Sequence, residues 1–285
     1  MTPQELVSGV VRLVSLPEVC IRVNEMLDDP VVNANDIGKV IAQDTSLTAR
    51  LLKIVNSAFY GFQARIDTVS RAVTVIGLRE LRGLVLAASA VESFSKLPND
   101  VLNLVNFWRH SVYCGVIAQL LAQKCNVLHS ERLFIAGLLH DIGKLVITNK
   151  MVNESREVIK RVEEKKISDF DAELAILGFD HAEVGGELLK EWNMPESLCE
   201  SVMYHHRPRA AMDPTIEICI VHIANVMTIM AEHGINEKEA APPIDDIAFE
   251  MTGLTEADFE AIYARAGAVF SEALDAILPR AYKPI

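Results

Sequence analysis

Apolar and polar residues are distributed along this chain with the three-to-four-residue spacing of amphipathic helices. Leu47, Leu51 and Val55 form one such apolar face. Side chains that favour helix N-termini precede several of these segments, at Thr2, Asp44, Thr68, Asp180 and Thr255. The sequence shows no convincing strand pair, sustained heptad, internal repeat or glycine-rich phosphate loop. The pattern therefore predicts an all-α protein built from many helices.

Proline, glycine and short polar runs set the ends of the predicted helices. The first helix is expected to run to about residue 14, before Ser15-Leu16-Pro17, and Asp28-Asp29-Pro30 is expected to stop the second. Pro279 is expected to end the last helix. Other long predicted helices span residues 78–94, 101–124, 150–166 and 216–233.

Two interruptions divide the predicted helices into three parts. Residues 96–100 form a short polar connection, and Ala241-Pro242-Pro243 marks a linker. We therefore expect an N-terminal helical lobe over residues 1–97, a second lobe over 98–235 and a C-terminal helical extension over 236–285. The apolar face of the last helix is suited either to docking on the core or to a homodimer contact.

The charge of the chain restricts its partners. The formal net charge is −12 and the sequence pI is about 5.2. A broad nucleic-acid-binding surface needs clustered Lys and Arg, and so does adhesion to an anionic membrane. The composition therefore argues against nucleic-acid and membrane partners.

The segment around Gly77 allows two interpretations. Helices joined at this glycine, with Arg71, Arg79 and Arg82 nearby, fit a DNA-binding helix-turn-helix. The same segment fits ordinary helix packing inside a lobe. Packing is favoured because the chain is acidic and has no basic stripe.

Cysteine usage and the N-terminus predict a cytoplasmic protein. The chain has 5 cysteines and no C-x-x-C pair, which fits reduced core thiols better than a disulfide framework. No basic region followed by an apolar run marks a secretory signal. The apolar stretch over residues 216–231 is too short for a membrane span and is interrupted by Glu217, His222 and Asn225.

The segment GLLHDIGKL at residues 137–145 has the composition of a buried helix but contains three costly polar groups. On one helix, His140 and Lys144 are four residues apart, and Asp141 and Lys144 are three apart, so all three can face one site. Burying such groups without partners costs several kcal/mol. We therefore expect a functional site at this segment.

Other histidines supply partners for this site. The candidates are His110, His181, His205 and His206, which lie in predicted helices or at their ends. A single histidine in an apolar helix is usually a hydrogen-bonded core residue, but this many around one His-Asp pair favour a shared metal centre. Imidazole and carboxylate ligands suit Zn, Fe, Mn or Ni. The set is large enough for one or two divalent ions.

The helix over 216–233 carries a polar stripe formed by His222, Asn225 and Thr228. The stripe can face the site or can be satisfied by internal hydrogen bonds, and the sequence does not separate the two.

A divalent ion in this site would suit phosphoester hydrolysis. It can activate a bound water and polarise a phosphoryl oxygen. Asp141 and Lys144 are then the candidate catalytic residues, with Lys144 stabilising negative charge or protonating a leaving group.

These residues resemble the HD superfamily of metal-dependent phosphohydrolases and, more closely, the HDOD domain of bacterial signalling proteins. The similar motifs are LPEV at 16–19, QDTSLTARLL at 43–52, NSAFYG at 56–61, FWRHS at 107–111, the segment at 137–145, HAEVG at 181–185 and the histidine pair at 205–206. The resemblance implies an HD-superfamily-like, all-helical fold with an N-terminal lobe packed on an HD-like lobe. It also implies a role in signal transduction.

The sister HD-GYP family, which hydrolyses cyclic di-GMP, is similar in its histidines but differs in two features. The Gly-Tyr-Pro triplet is absent, and the late metal-binding Asp of that family corresponds to Asn225. A neutral amide is a weaker ligand, so the resemblance implies a weakened metal set. We therefore expect a regulatory protein that binds a signalling partner or a nucleotide-type ligand. The alternative is an active phosphohydrolase acting on a nucleotide or cyclic dinucleotide.

Overall fold

A computed structural model describes residues 1–11, 16–27, 29, 31–57, 60, 62, 64–97, 100–234 and 241–278. Within these ranges the regular structure is helical and no strand occurs, which confirms the all-α prediction. The helices are α1 (Pro3–Val11), α2 (Glu18–Leu27), α3 (Ala34–Ile41), α4 (Thr45–Val55), α5 (Val69–Ile76), α6 (Leu78–Ser95), α7 (Leu104–Lys124), α8 (Glu131–Leu139), α9 (Ile142–Lys150), α10 (Val152–Lys165), α11 (Asp169–Leu177), α12 (His181–Glu191), α13 (Glu196–Met203), α14 (Ile216–His233), α15 (Asp246–Thr252) and α16 (Phe259–Ile277).

The predicted capping residues begin their helices by accepting backbone hydrogen bonds. Asp44 accepts from the amide of Leu47 at 2.9 Å, and Asp180 accepts from the amide of Glu183 at 2.9 Å. Thr255 forms a capping box, but the box begins a short 3₁₀ turn that precedes α16. The caps at Asp44 and Asp180 confirm the predicted helix starts there, whereas the predicted start at Thr255 precedes α16 by one short turn.

The buried helix predicted over 137–145 is broken in the structure. Helix α8 ends at Leu139 and α9 begins at Ile142, with His140 and Asp141 in the turn between them. Asp141 lies outside the helical region, with φ of −97° and ψ of 7°. Hydrophobic spacing did not reveal the break because the apolar residues on both sides keep helical spacing.

Other features differ from the prediction or lie outside the described residues. Helix α7 begins at Leu104 rather than near 101, because Asn103 caps it. Helix α15 was not predicted, since the prolines before it indicated a linker. Parts of the predicted breaks at 15, 28, 30, 98 and 99, and the stop at Pro279, lie outside the described residues.

The chain forms two compact units, one of Met1–Leu13 with Pro98–Ala266 and one of Val14–Leu97 with Gly267–Ile285. This division departs from the expected lobes at both ends of the chain: helix α1 and residues 241–266 belong to the first unit, and residues 267–278 belong to the second. Helix α1 joins the first unit because it packs on α9 and α12, and α15 joins it because it packs on α14.

In the second unit, polar side chains from the QDTSLTARLL and NSAFYG segments hydrogen-bond to α6 and to the loop before α5. Arg50 donates to the carbonyl of Ala88 in α6 at 2.6 Å and pairs with Glu92 at 3.3 Å. Asn56 pairs with both backbone groups of Ile66. Arg82, one of the residues behind the DNA interpretation, donates to the carbonyl of Asn24 at 3.4 Å, which is a packing contact.

The core of the first unit contains α7, α8 and α14 in mutual contact. Helices α7 and α8 approach closely at two glycines, since a Cβ on Gly137 would lie 2.7 Å from the Cα of Gly115. Helix α14 is long and apolar enough, by length and composition, to cross a membrane, but most of it is buried inside this unit. Such burial is typical of a core helix.

Helices α9 and α12 approach closely at Gly143, the glycine of the His-Asp segment. A Cβ on Gly143 would collide with the backbone oxygen of His181 and lie 2.7 Å from the amide nitrogen of Gly185. Backbone atoms cannot move aside as a flexible side chain can. The glycine therefore allows Asp141 and His181 to lie at one site.

We expect Gly143→Ala to lower the free energy of unfolding by about 2–3 kcal/mol, because the added methyl group must push α9 away from α12. Urea unfolding followed by circular dichroism measures this change. The matched control is Gly9→Ala in α1, where a Cβ meets nothing within 4 Å. That control is expected to be neutral or stabilising. Equal stability of both variants would contradict the close approach.

Candidate metal centre

Asp141 is the centre of a buried cluster of histidines. The distance from its Oδ1 is 3.0 Å to Nε2 of His181, 3.4 Å to Nε2 of His140 and 3.8 Å to Nε2 of His205. Its Oδ2 lies 3.8 Å from Nε2 of His110. The four histidines come from α7, the α8–α9 turn, α12 and the end of α13. The fold thus brings together residues that are distant in sequence.

The outer ring nitrogen of each of these four histidines already has a hydrogen-bond acceptor. Nδ1 of His140 donates to the carbonyl of Gly137, and Nδ1 of His205 donates to that of Val202, both at 2.7 Å. Nδ1 of His181 lies 2.6 Å from Glu173, and Nδ1 of His110 lies 3.0 Å from Glu232. Metal-binding histidines show this arrangement, because the outer bond orients the ring and presents Nε2 to the ion.

The donor atoms form two groups that share one carboxylate. One group contains Asp141, His181, His205 and His206, and the other contains His110, His140 and Asp141. In each group the potential ligand atoms lie within 4.8 Å of one another. Nε2 of His206 is 2.8 Å from Nε2 of His181. A carboxylate shared in this way can bridge two ions.

Two buried atoms of the cluster that could bind a metal have no hydrogen-bond partner within the described residues. They are Oδ1 of Asp141 and Nε2 of His205. Nε2 of His181 approaches Oδ1 closely, but its orientation does not meet hydrogen-bond geometry. An unsatisfied buried polar atom is costly, and a metal ion would satisfy both atoms. The residues present therefore fit a divalent metal ion.

The electrostatics of the cluster favour neutral imidazoles around an ionised carboxylate. Burial lowers the pKa of His140 to about 4 and lowers the pKa values of His205 and His206 well below their usual range. Burial would raise the pKa of Asp141, but His140 and Lys144 outweigh it and hold that pKa well below 3.8. A neutral imidazole and an ionised carboxylate are the forms that bind metal.

The pKa of His181 shifts in the opposite direction from those of His140, His205 and His206. Burial would lower its pKa, but the adjacent carboxylate of Glu173 outweighs that effect and raises the pKa to about 10. Without metal, His181 is therefore protonated at neutral pH and lies between Glu173 and Asp141. An ion that binds Nε2 must displace this proton.

Lys144 lies at the edge of the cluster, as the three-residue spacing predicted. Its Nζ is 2.9 Å from Oδ2 of Asp141 and 3.4 Å from Asp169 at the start of α11. Burial would lower the lysine pKa, but Asp141 and Asp169 outweigh it and raise the pKa above its usual range. Lys144 thus stays charged and neutralises part of the acidic cluster.

The polar stripe on α14 is satisfied mainly by hydrogen bonds. His222 bonds the carbonyl of His205 through Nδ1 at 2.7 Å and accepts from the amide of Asp245 through Nε2 at 2.9 Å. Thr228 donates to the carbonyl of Ala224. Asn225 is buried on the same helix, one turn after His222. Its assignment as a metal ligand stays a prediction.

Sequence reasoning missed the acidic residues behind the histidines. Glu173 is buried on α11, and Glu232 lies on α14. The sequence does contain a weak signal for Glu173, because it is the one charged residue in the apolar run over 172–177. The pairing of Glu232 with His110 joins residues 122 positions apart and left no local signal.

Comparison with known proteins agrees with the helical fold. The model of the HDOD domain matches residues 13–208, which is more than half of the chain. The chain therefore belongs to the HDOD family.

Individual relatives support this assignment. An uncharacterized protein of Treponema pallidum (strain Nichols) is 30% identical over 230 residues, covering 80% of this chain and 44% of that protein. The chain thus spans less than half the length of this curated relative. A crystal structure of an HDOD domain protein with unknown function from Geobacter sulfurreducens is 26% identical, with a TM-score of 0.73 and coverage of 97% of this chain and 98% of that one.

A second crystal structure shares the fold. It is named "Putative phosphohydrolase" from Shewanella amazonensis SB2B and is 21% identical, with a TM-score of 0.73 and coverage of 95% of this chain and 96% of that one.

We expect the chelator-treated protein to lose stability as the pH rises from about 6.5 to about 8.5. A group whose pKa is higher in the folded state, like His181, stabilises the fold fully below its unfolded pKa of 6.5 and loses this effect towards about 10. The slope from one such group is at most about 1.4 kcal/mol per pH unit. Thermal unfolding at a series of pH values measures it.

Two variants identify the source of this slope. Glu173→Gln removes the charge that raises the pKa of His181 and is expected to flatten the profile. Glu217→Gln, which removes an acid paired with Arg132 on α14, is expected to keep the slope. A slope that persists in Glu173→Gln would show that His181 is not its origin.

Proposed function

We propose that this HDOD protein is a cytoplasmic regulatory protein whose HD-like site holds one or two divalent metal ions. The ligands would be His110, His140, Asp141, His181, His205 and His206, with Asn225 as a weak further ligand. The observation that carries the proposal is that four histidines bind acceptors through Nδ1 while their Nε2 atoms lie around Asp141. Fe, Mn, Ni or Zn would suit this donor set.

The charge of the ligand set supports regulation rather than catalysis. Asp141 is the only proposed ligand that carries a negative charge, and Lys144 donates a hydrogen bond to its Oδ2 at 2.9 Å. The position that carries a late Asp in HD-GYP enzymes is Asn225 here. A metal ion in such a site supplies a Lewis acid that can bind an anionic oxygen. The protein would then bind a nucleotide-type ligand or a signalling partner, either as a single chain or as a homodimer.

We expect the protein purified without a metal-affinity step to contain one or two equivalents of Fe, Mn, Ni or Zn, and Asp141→Ala to lose them. The carboxylate belongs to both donor groups, so its removal weakens every position. Elemental analysis by mass spectrometry gives the metal content. Asp141→Asn, which keeps the side-chain shape, separates loss of ligation from loss of folding.

The matched control is His233→Gln. This histidine is exposed, bonds the carbonyl of Ile229 on its own helix and is not one of the proposed ligands. It should retain the full metal content. Wild-type protein that stays metal-free after incubation with these ions, or Asp141→Asn that keeps its metal, would rule the centre out.

The alternative is an active metal-dependent phosphohydrolase, and two observations favour it. The donor groups share Asp141, which suits a pair of ions, and Lys144 places a partly buried cation beside that carboxylate. Lys144 can hold positive charge near an anionic oxygen or donate a proton to a leaving group. A structure with this fold bears a phosphohydrolase name.

If the protein is an enzyme, Mn²⁺-loaded protein should hydrolyse bis(p-nitrophenyl) phosphate or a cyclic dinucleotide. Lys144→Ala should then lower kcat by about a hundredfold. Lys190→Ala, which removes a half-exposed lysine paired with Glu187, should leave the rate unchanged. Metal-loaded protein without hydrolysis of either substrate would exclude this alternative and leave the regulatory function in place.

A further inference from the structure

The two groups of metal-ligand atoms differ in the carboxylate that accepts a hydrogen bond from histidine Nδ1, which is Glu173 in one group and Glu232 in the other. In the group of Asp141, His181, His205 and His206, the side chains of the first three are essentially buried. Glu173 accepts from His181 twice, through the backbone amide at 2.8 Å and through Nδ1 at 2.6 Å. Only 6% of the Glu173 side chain is exposed. A buried carboxylate with two donors is fixed in position and raises the donor strength of the ring.

The other group is more open. It contains two histidines and the shared carboxylate of Asp141. The His110 side chain is 14% exposed, and the side chain of Glu232, whose carboxylate binds Nδ1 of His110, is 45% exposed. Water competes for an exposed carboxylate, so Glu232 orients His110 less strongly than Glu173 orients His181. This group also has Asn225, rather than an acid, on the neighbouring helix α14.

Helix α14 nevertheless contributes one carboxylate next to this open group, that of Glu232. Glu232 follows Asn225 by seven residues, which is two helical turns, so both lie on one side of α14. Nδ1 of His110 lies 3.1 Å and 3.0 Å from the two oxygens of Glu232. The Glu232 carboxylate therefore orients the His110 ring through Nδ1 and is not itself a proposed metal ligand.

We propose, on the basis of the proposed metal-binding function, that the cluster has two metal positions of unequal affinity, set by two positioning residues. Glu173 supports a tight position at Asp141, His181, His205 and His206. Glu232 supports a weaker, exchangeable position at His110, His140 and Asp141. Occupancy of the weaker position would then change with the metal concentration, which gives a regulatory protein a metal-responsive element.

The test is a calorimetric titration of Zn²⁺ into the chelator-treated full chain, with a competing chelator to resolve tight binding. We expect two binding steps in the wild type. Glu232→Gln should weaken the weaker step about tenfold and leave the tighter step unchanged. Glu173→Gln should weaken the tighter step by about tenfold to a hundredfold. Loss at one step only is a result that general destabilisation would not give.

Glu217→Gln is the matched control, because it removes an acid from the same helix as Glu232 that pairs with Arg132 rather than with the cluster. Both steps should keep their affinities in this variant. Thermal unfolding of the metal-free variants checks folding, and Glu232→Gln tests the proposal by itself if Glu173→Gln does not fold.

The outcomes separate the two proposals. A single binding step, or a Glu232→Gln variant that weakens both steps equally or neither, would overturn the two-position inference and leave the metal centre intact. A wild type that binds no Zn²⁺ would overturn both.

Discussion

The interaction on which the site depends is the burial of one carboxylate, Asp141, among imidazole rings and a lysine. An isolated charge at this depth would cost several kcal/mol. Lys144 compensates one oxygen, while the other faces the Nε2 atoms of His140, His181 and His205. The rings can hold this arrangement because a hydrogen bond from each Nδ1 to an acceptor outside the cluster fixes their orientation, so that the Nε2 atoms converge on Asp141.

Close backbone contacts between helices bring the residues of the cluster together. Gly143 lets α9 touch α12 beside His181, and Gly115 with Gly137 lets α7 touch α8 beside the chain segment that carries His140. The turn between α8 and α9 then places His140 and Asp141 outside regular helix, where their side chains can point into one space. The chain belongs to the HDOD family, and Glu173 and Glu232 lie outside the motifs of this sequence that resemble the family.

Local rules predicted much of the fold. Asp44, Thr68 and Asp180 were expected to cap helices because their oxygens accept amide hydrogen bonds, and each one does. The break at His140 was missed because apolar spacing continues across it. The grouping of α1 with α9 and α12 was missed because it depends on contacts more than a hundred residues apart, about which a local pattern carries no information.

The sequence by itself determined the all-α class and the chemistry of the candidate site, because helical spacing and costly polar residues in apolar segments are local properties. It also indicated the pairing of Asp141 with Lys144, because a residue at the start of a helix lies close to the residue three positions later. Only the tertiary structure decided which nitrogen of each histidine faces Asp141, and that Glu173 and Glu232 stand behind His181 and His110. Ring orientation is set by partners from other helices, and those partners become neighbours only when the chain has folded.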